Sequence, residues 1–129
     1  MTKRILLVES DDTVAELVTM ILEDAGHAVD RTVNADDGLA HLLACRPDLV
    51  LVDLWLTGGG GLSLLRASTR AATAAIPPIV VMAGGDLARA DLGAPPDGVV
   101  GRPFDLDELL GVVDSATHRQ AVRPGGTPA

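Results

Sequence analysis

The sequence predicts an α/β fold, a parallel sheet with helices on both faces, and three observations carry that prediction. Short runs of Val, Ile and Leu alternate along the chain with segments of helical period. The runs are apolar throughout instead of alternating with polar residues, as in strands covered on both faces. At 129 residues the chain fits one domain around a single core.

Arg4–Val8 (RILLV) reads as the first strand. Val14, Leu17, Val18, Ile21 and Leu22 follow at i, i+3, i+4, i+7 and i+8, the stripe of an amphipathic helix. Thr13 and Glu16 have capping-box spacing at its start, and Gly26 suits its C′ position. HAVDRTV alternates weakly and reads as a second strand. Ala35 to Cys45 places Leu39, Leu42 and Leu43 on one helical face, and Pro47 ends that segment. DLVLVDLWL is the third and strongest strand. A helix from about residue 61 to 75 stops at Pro77 and Pro78. IVVMA (Ile79–Ala83) is the fourth strand. Asp86 to Leu92 leaves room for a short or irregular fourth helix before GAPPDG, and VVG is a brief fifth strand. DLDEL opens the last helix, with Asp105 and Glu108 again at capping-box spacing. This βαβαβαβαβα order implies a parallel sheet whose functional crevice lies beyond the carboxyl ends of the strands. Glu9 with Ser10, Asp53, and Ala83 with Gly84 stand at three of those ends.

Asp53 lies inside one of the most apolar runs, just before the glycines 58–61. An ionised carboxylate is costly to bury without a partner, a hydrogen bond or a metal, so its place is the end of the strand where a cleft opens. The chain has one Phe, one Trp and no Tyr, and its core is therefore aliphatic. Ten Lys and Arg against 18 Asp and Glu give a net charge of −8, which repels nucleic-acid phosphates and anionic membranes. The single Cys45 cannot form an internal disulfide, and ILLV is too short for a signal peptide or a membrane span, so a cytoplasmic location is expected. Residues 1–118 are expected to form the domain, and the Pro- and Gly-rich 119–129 a flexible tail with no output domain after it.

ILLVESDD, PDLVLVDLWLTGGGGLSLLR, PPIVVMAGG and GRPFDLDEL, in this order and spacing, resemble the receiver domain of two-component response regulators, over roughly Lys3 to Asp114. The resemblance implies a flavodoxin-like, doubly wound five-stranded sheet of order 2-1-3-4-5. It implies that Asp53, at the end of the third strand, accepts a phosphoryl group from a histidine kinase or phosphotransfer protein. Glu9, Asp53 and the backbone carbonyl of Trp55 would hold Mg2+, a hard cation that removes the repulsion between carboxylate and phosphate.

The chain departs from the family pattern where that chemistry is concentrated. Ser10 stands where a second acidic ligand is expected, and Asp11 would need an altered loop to replace it. Ala83 lacks the hydroxyl of the family's Thr or Ser, which contacts the phosphoryl group. Arg102 replaces Lys before the Pro-Phe pair; it keeps the charge and can grip phosphate oxygens bidentately, or pair with Asp53. Val99 replaces the aromatic residue that partners the Thr. Thr57 with Gly58 to Gly60 predicts a more mobile loop, and Pro95 and Pro96 a stunted fourth helix. The surface from the fourth strand to the fifth helix is where such domains dock partners, so its geometry here is expected to differ.

The expected function is an atypical receiver with weakened Mg2+-dependent phosphorylation at Asp53. The alternative is a docking module on the same scaffold that works without phosphorylation, in which Glu9 or Asp53 pairs with Arg102. A small phosphatase or phosphotransferase ranks last: DLWLT resembles the DxDxT motif of aspartate-nucleophile phosphatases, but Trp55 occupies the position of its general acid. No Gly-Lys-Ser/Thr follows the glycines, so they are not a nucleotide phosphate loop. His41 and Cys45 share a helical face without enough neighbours for a metal site, while His27 and His118 read as solvent-exposed. The sequence names no oligomeric state.

Overall fold

A computed structural model describes residues 2–54, 77–83, 96–101 and 104–122. Five parallel strands form one sheet: β1 (Arg4–Val8), β2 (Ala28–Thr32), β3 (Leu49–Asp53), β4 (Ile79–Ala83) and β5 (Gly98–Gly101), in the order β2-β1-β3-β4-β5. Three helices are described: α1 (Asp12–Asp24), α2 (Ala35–Cys45) and α3 (Leu106–Val122). The expected segments at 61–75 and 86–92, the glycine run and Thr57 lie outside the described residues. So do Trp55, Arg102 and residues 123–129. Helix α3 reaches Val122, four residues into the stretch read as a tail.

Strand alternation sorts the core into two layers. Ile5, Leu7, Leu49, Leu51, Val80, Met82 and Val100 pack with Ala15, Val18 and Leu22 of α1 and Leu109, Val113 and Ala116 of α3. Leu6, Val8, Val50, Val52, Ile79, Val81 and Ala83 form the opposite layer, with Leu42 of α2. Both faces are thus covered, which is why β3 and β4 are buried along their whole length. The edge strand β2 is only partly buried, matching its weak alternation.

Three local expectations are corrected. Helix α1 is capped by Asp11, whose side chain accepts the Val14 N–H, and not by Thr13 with Glu16. Its buried stripe is Ala15, Val18 and Leu22; Leu17, roughly 100° round the helix from that stripe, is exposed. Leu43 is exposed as well, because the side of α2 turned to the sheet is the one carrying Gly38, Leu39 and Leu42. Other end signals hold. Gly26 adopts φ 97° after the last turn of α1, and its N–H and that of His27 close onto the carbonyls of Glu23 and Leu22. Asp105 caps α3 by accepting the Glu108 N–H at 2.6 Å.

Gly38 sets how closely α2 approaches β1. A Cβ there would sit 3.0 Å from Val8 Cγ2 and 3.3 Å from Thr32 Oγ1, and Val8 is wholly buried. Gly38→Ala should therefore fail to deliver the roughly 1 kcal/mol of helix propensity that Ala otherwise brings. Gly38→Leu should lose about 1–3 kcal/mol through overpacking, both read by urea denaturation.

His27 is partly buried instead of exposed, and its Nδ1 accepts the Lys3 N–H at 3.2 Å. Burial first, then nearby positive charge including Lys3, lowers its pKa below 6.5, with Asp114 opposing. The unfolded chain therefore binds the proton more readily. His27's contribution is fully present above pH 6.5 and is lost as pH falls through the lower folded value. Denaturation midpoints measured from pH 7.5 to pH 5 should fall in the wild type and fall less in His27→Gln.

Candidate acidic site at the carboxyl rim of the sheet

The site follows from register. Strand β1 pairs with β3 so that Val8 faces Val52. One residue further along the same register, Glu9 lies beside Asp53. Alternation puts Glu9 in line with Ile5 and Leu7, and Asp53 in line with Leu49 and Leu51, so both carboxylates belong to the same side of the sheet. Neighbouring strands run about 4.8 Å apart. Glu9 is fully buried and Asp53 is 4% exposed; among the described residues they are the only buried acids.

The opposite rim carries acids of another kind. Asp48 accepts the Arg4 N–H at 2.7 Å, and Asp97 accepts the Ile79 N–H at 2.8 Å, so each carboxylate satisfies the first backbone donor of a strand.

Around Glu9 the turn into α1 is tightly bonded. Its carboxylate accepts the Asp11 N–H at 3.1 Å, and its own N–H donates to the Thr32 carbonyl at 3.0 Å. Its carbonyl accepts two bonds from Arg31, from Nε at 3.1 Å and Nη2 at 2.8 Å, while Arg31 Nη1 meets Asp12 Oδ1 at 2.8 Å. Asp11 is engaged as the helix cap and Asp12 with Arg31, so each carboxylate next along from Ser10 already has a structural partner. Sequence reading missed Arg31. Its only signal was a cationic side chain on the strand that flanks β1, opposite Leu7.

Of the remaining sequence-derived residues, Ser10 is half-buried in the same turn, and Ala83 is buried immediately after Met82, the residue that faces Asp53. Val99 is half-buried in β5, packed on the α2 side of the sheet. Two adjacent buried carboxylates at the carboxyl rim of the sheet suit a hard, oxygen-seeking cation. Among the described residues no group of three or more acidic, His or Cys side chains gathers to hold one.

The family model of the response regulator receiver domain matches residues 5–114. The chain belongs to this receiver family. The receiver is 35% identical over 123 residues to the transcriptional regulatory protein DltR of Streptococcus agalactiae, a match covering 92% of the chain and 54% of DltR. It therefore spans about half the length of that relative. NtrX from Brucella abortus superposes with a TM-score of 0.83 at 30% identity, over 97% of the receiver and 29% of NtrX. A response regulator receiver domain protein from Clostridium thermocellum shares the fold, with a TM-score of 0.80 at 21% identity over 92% of the receiver and 97% of that chain. Among the described residues no helix is long and apolar enough to cross a membrane.

Asp11→Ala should cost the receiver about 1 kcal/mol through the lost cap, whereas Asp11→Ser, which keeps an acceptor, should lose a few tenths. Thermal melts of the two variants distinguish a capping role from a general need for negative charge at this turn.

Proposed function

We propose that this receiver of a two-component system accepts a phosphoryl group on Asp53 from a histidine kinase or phosphotransfer protein, and that its Mg2+-dependent switching is weakened. The observation that carries the reading is the pair Glu9 and Asp53, buried side by side at the carboxyl rim, with Ala83 next to the residue facing Asp53. In the reaction an Asp53 carboxylate oxygen forms a P–O bond as the P–N bond of phosphohistidine breaks. The imidazole leaves with a proton, and the product is an acyl phosphate.

Receiver domains bind Mg2+ for phosphorylation, and two buried hard-oxygen donors suit that ion. Glu9, Asp53 and the Trp55 carbonyl would hold it, and when bound it offsets the negative charge shared by carboxylate and phosphate. Burial of Glu9 and Asp53 excludes water from the acceptor and strengthens each interaction made there. Arg102 would grip the phosphoryl oxygens, a role drawn from its place before Pro103 and Phe104. Ser10 offers a neutral hydroxyl in place of a charged ligand, and Ala83 offers no donor. A lost charge-assisted bond costs roughly 1.5–3 kcal/mol, about ten- to 150-fold in an equilibrium. Downstream signalling would then run through a protein partner docked on the surface of β4, β5 and α3.

Trp55 is the only tryptophan and lies two residues beyond Asp53, so its fluorescence reports on the site. Titration with Mg2+ and then beryllofluoride should give a weak saturable response that Asp53→Asn abolishes. Ser10→Asp should tighten Mg2+ binding about tenfold, by restoring a charged ligand. Silence of the wild type toward both ligands would overturn the phosphorylation reading and favour docking without phosphate.

A further inference from the structure

We propose that Arg31 is the positioning residue of the acidic site: its guanidinium holds the main chain at Glu9 in the setting that presents the Glu9 carboxylate beside Asp53. The basis is a three-point clamp. Nε and Nη2 converge on the Glu9 carbonyl at 3.1 and 2.8 Å, and Nη1 engages Asp12 at 2.8 Å. One planar group on β2 therefore ties the end of β1 to the first turn of α1. The Asp11 N–H closes the same turn from the other side, on the Glu9 carboxylate. A lysine ammonium, a single nitrogen on a flexible stem, does not reproduce this fork.

The inference deepens, and rests on, the reading of Glu9 and Asp53 as a cation site, in which Glu9 is the charged ligand that follows the first strand because Ser10 replaces the second. Arg31 acts on such a site in two opposed ways. As a positive charge it repels Mg2+, so its removal would tighten binding. As a clamp it orients Glu9, so its removal would loosen binding. Asp12 cancels much of the guanidinium charge at a distance, and solvent screens part of the rest, since the Arg31 side chain is 28% exposed. The clamp therefore dominates. Groups that orient metal ligands are commonly worth about 10- to 100-fold in affinity, and an effect relayed through the main chain belongs at the lower end.

The test combines Mg2+ calorimetry, thermal melting and amide hydrogen exchange on the whole chain. Arg31→Met should weaken Mg2+ binding about tenfold. In metal-free protein the same variant should exchange its Asp11 amide about tenfold faster, because the turn opens more often. Arg31→Lys, which still faces Asp12 with a positive charge, should recover most of the melting temperature but not the Mg2+ affinity. Tighter Mg2+ binding by Arg31→Met, or an Asp11 amide that exchanges as in the wild type, overturns the proposal. A wild type that binds no Mg2+ while its Asp11 amide responds to Arg31→Met removes the cation-site reading and leaves the clamp on Glu9 standing.

Discussion

The parallel pairing of β1 with β3 is the constraint on which the rest of this molecule depends. Opposing Val8 to Val52 brings Glu9 alongside Asp53, although 43 intervening positions separate them in the chain. A slip of one residue would turn one carboxylate to the opposite side of the sheet, because side chains alternate with a period of two. The same slip would carry Ile5 and Leu7 out of the α1–α3 layer and Leu6 and Val8 out of the α2 layer. The aliphatic core thus protects the register, and the register assembles the site.

That arrangement places two acids where water is nearly absent, at the ends of β1 and β3, whose other buried residues are Ile, Leu and Val. Burying a carboxylate costs stability unless hydrogen bonds or counter-charges compensate, and the turn after β1 shows one compensation in the Asp11 N–H on Glu9. The acids at the amino-terminal rim, Asp48 and Asp97, contrast with this pair: they are less buried and serve the backbone donors of β1 and β4. One residue type serves strand-end backbone donors at one rim of the sheet and is buried as an adjacent pair at the other.

Much of the architecture was legible because its signals are local. The apolar runs marked β1, β3 and β4, Pro47 and Gly26 marked helix ends, and Asp105 marked the cap of α3. The two buried acids were legible because a charge at the end of an apolar strand has few bland explanations. Other features depend on partners that sequence spacing does not display. Leu17 and Leu43 fit a helical stripe on paper, but which part of the stripe meets the sheet depends on how each helix is rotated, and Ala15 and Leu42 occupy those places. Asp11 and Thr13 are both good caps, and the choice fell to Asp11 because α1 begins at Asp12, immediately after the turn that Glu9 closes. Arg31 was invisible for the same reason: its value lies in reaching a carbonyl 22 residues away.

The outer position of β2 has a consequence for the molecule's behaviour in crowded solution. A strand at the border of a sheet leaves one row of backbone groups able to recruit a stray chain, and proteins commonly discourage this with charge. Here Asp30 lies between Arg4 and His41, and Arg31 is drawn toward Asp12, so the border strand presents two opposite charges in the middle of its five residues. An incoming strand would have to strip water from both and disturb their ion pairs. The polarity that made β2 the faintest strand in the sequence is thus also a guard against runaway self-association.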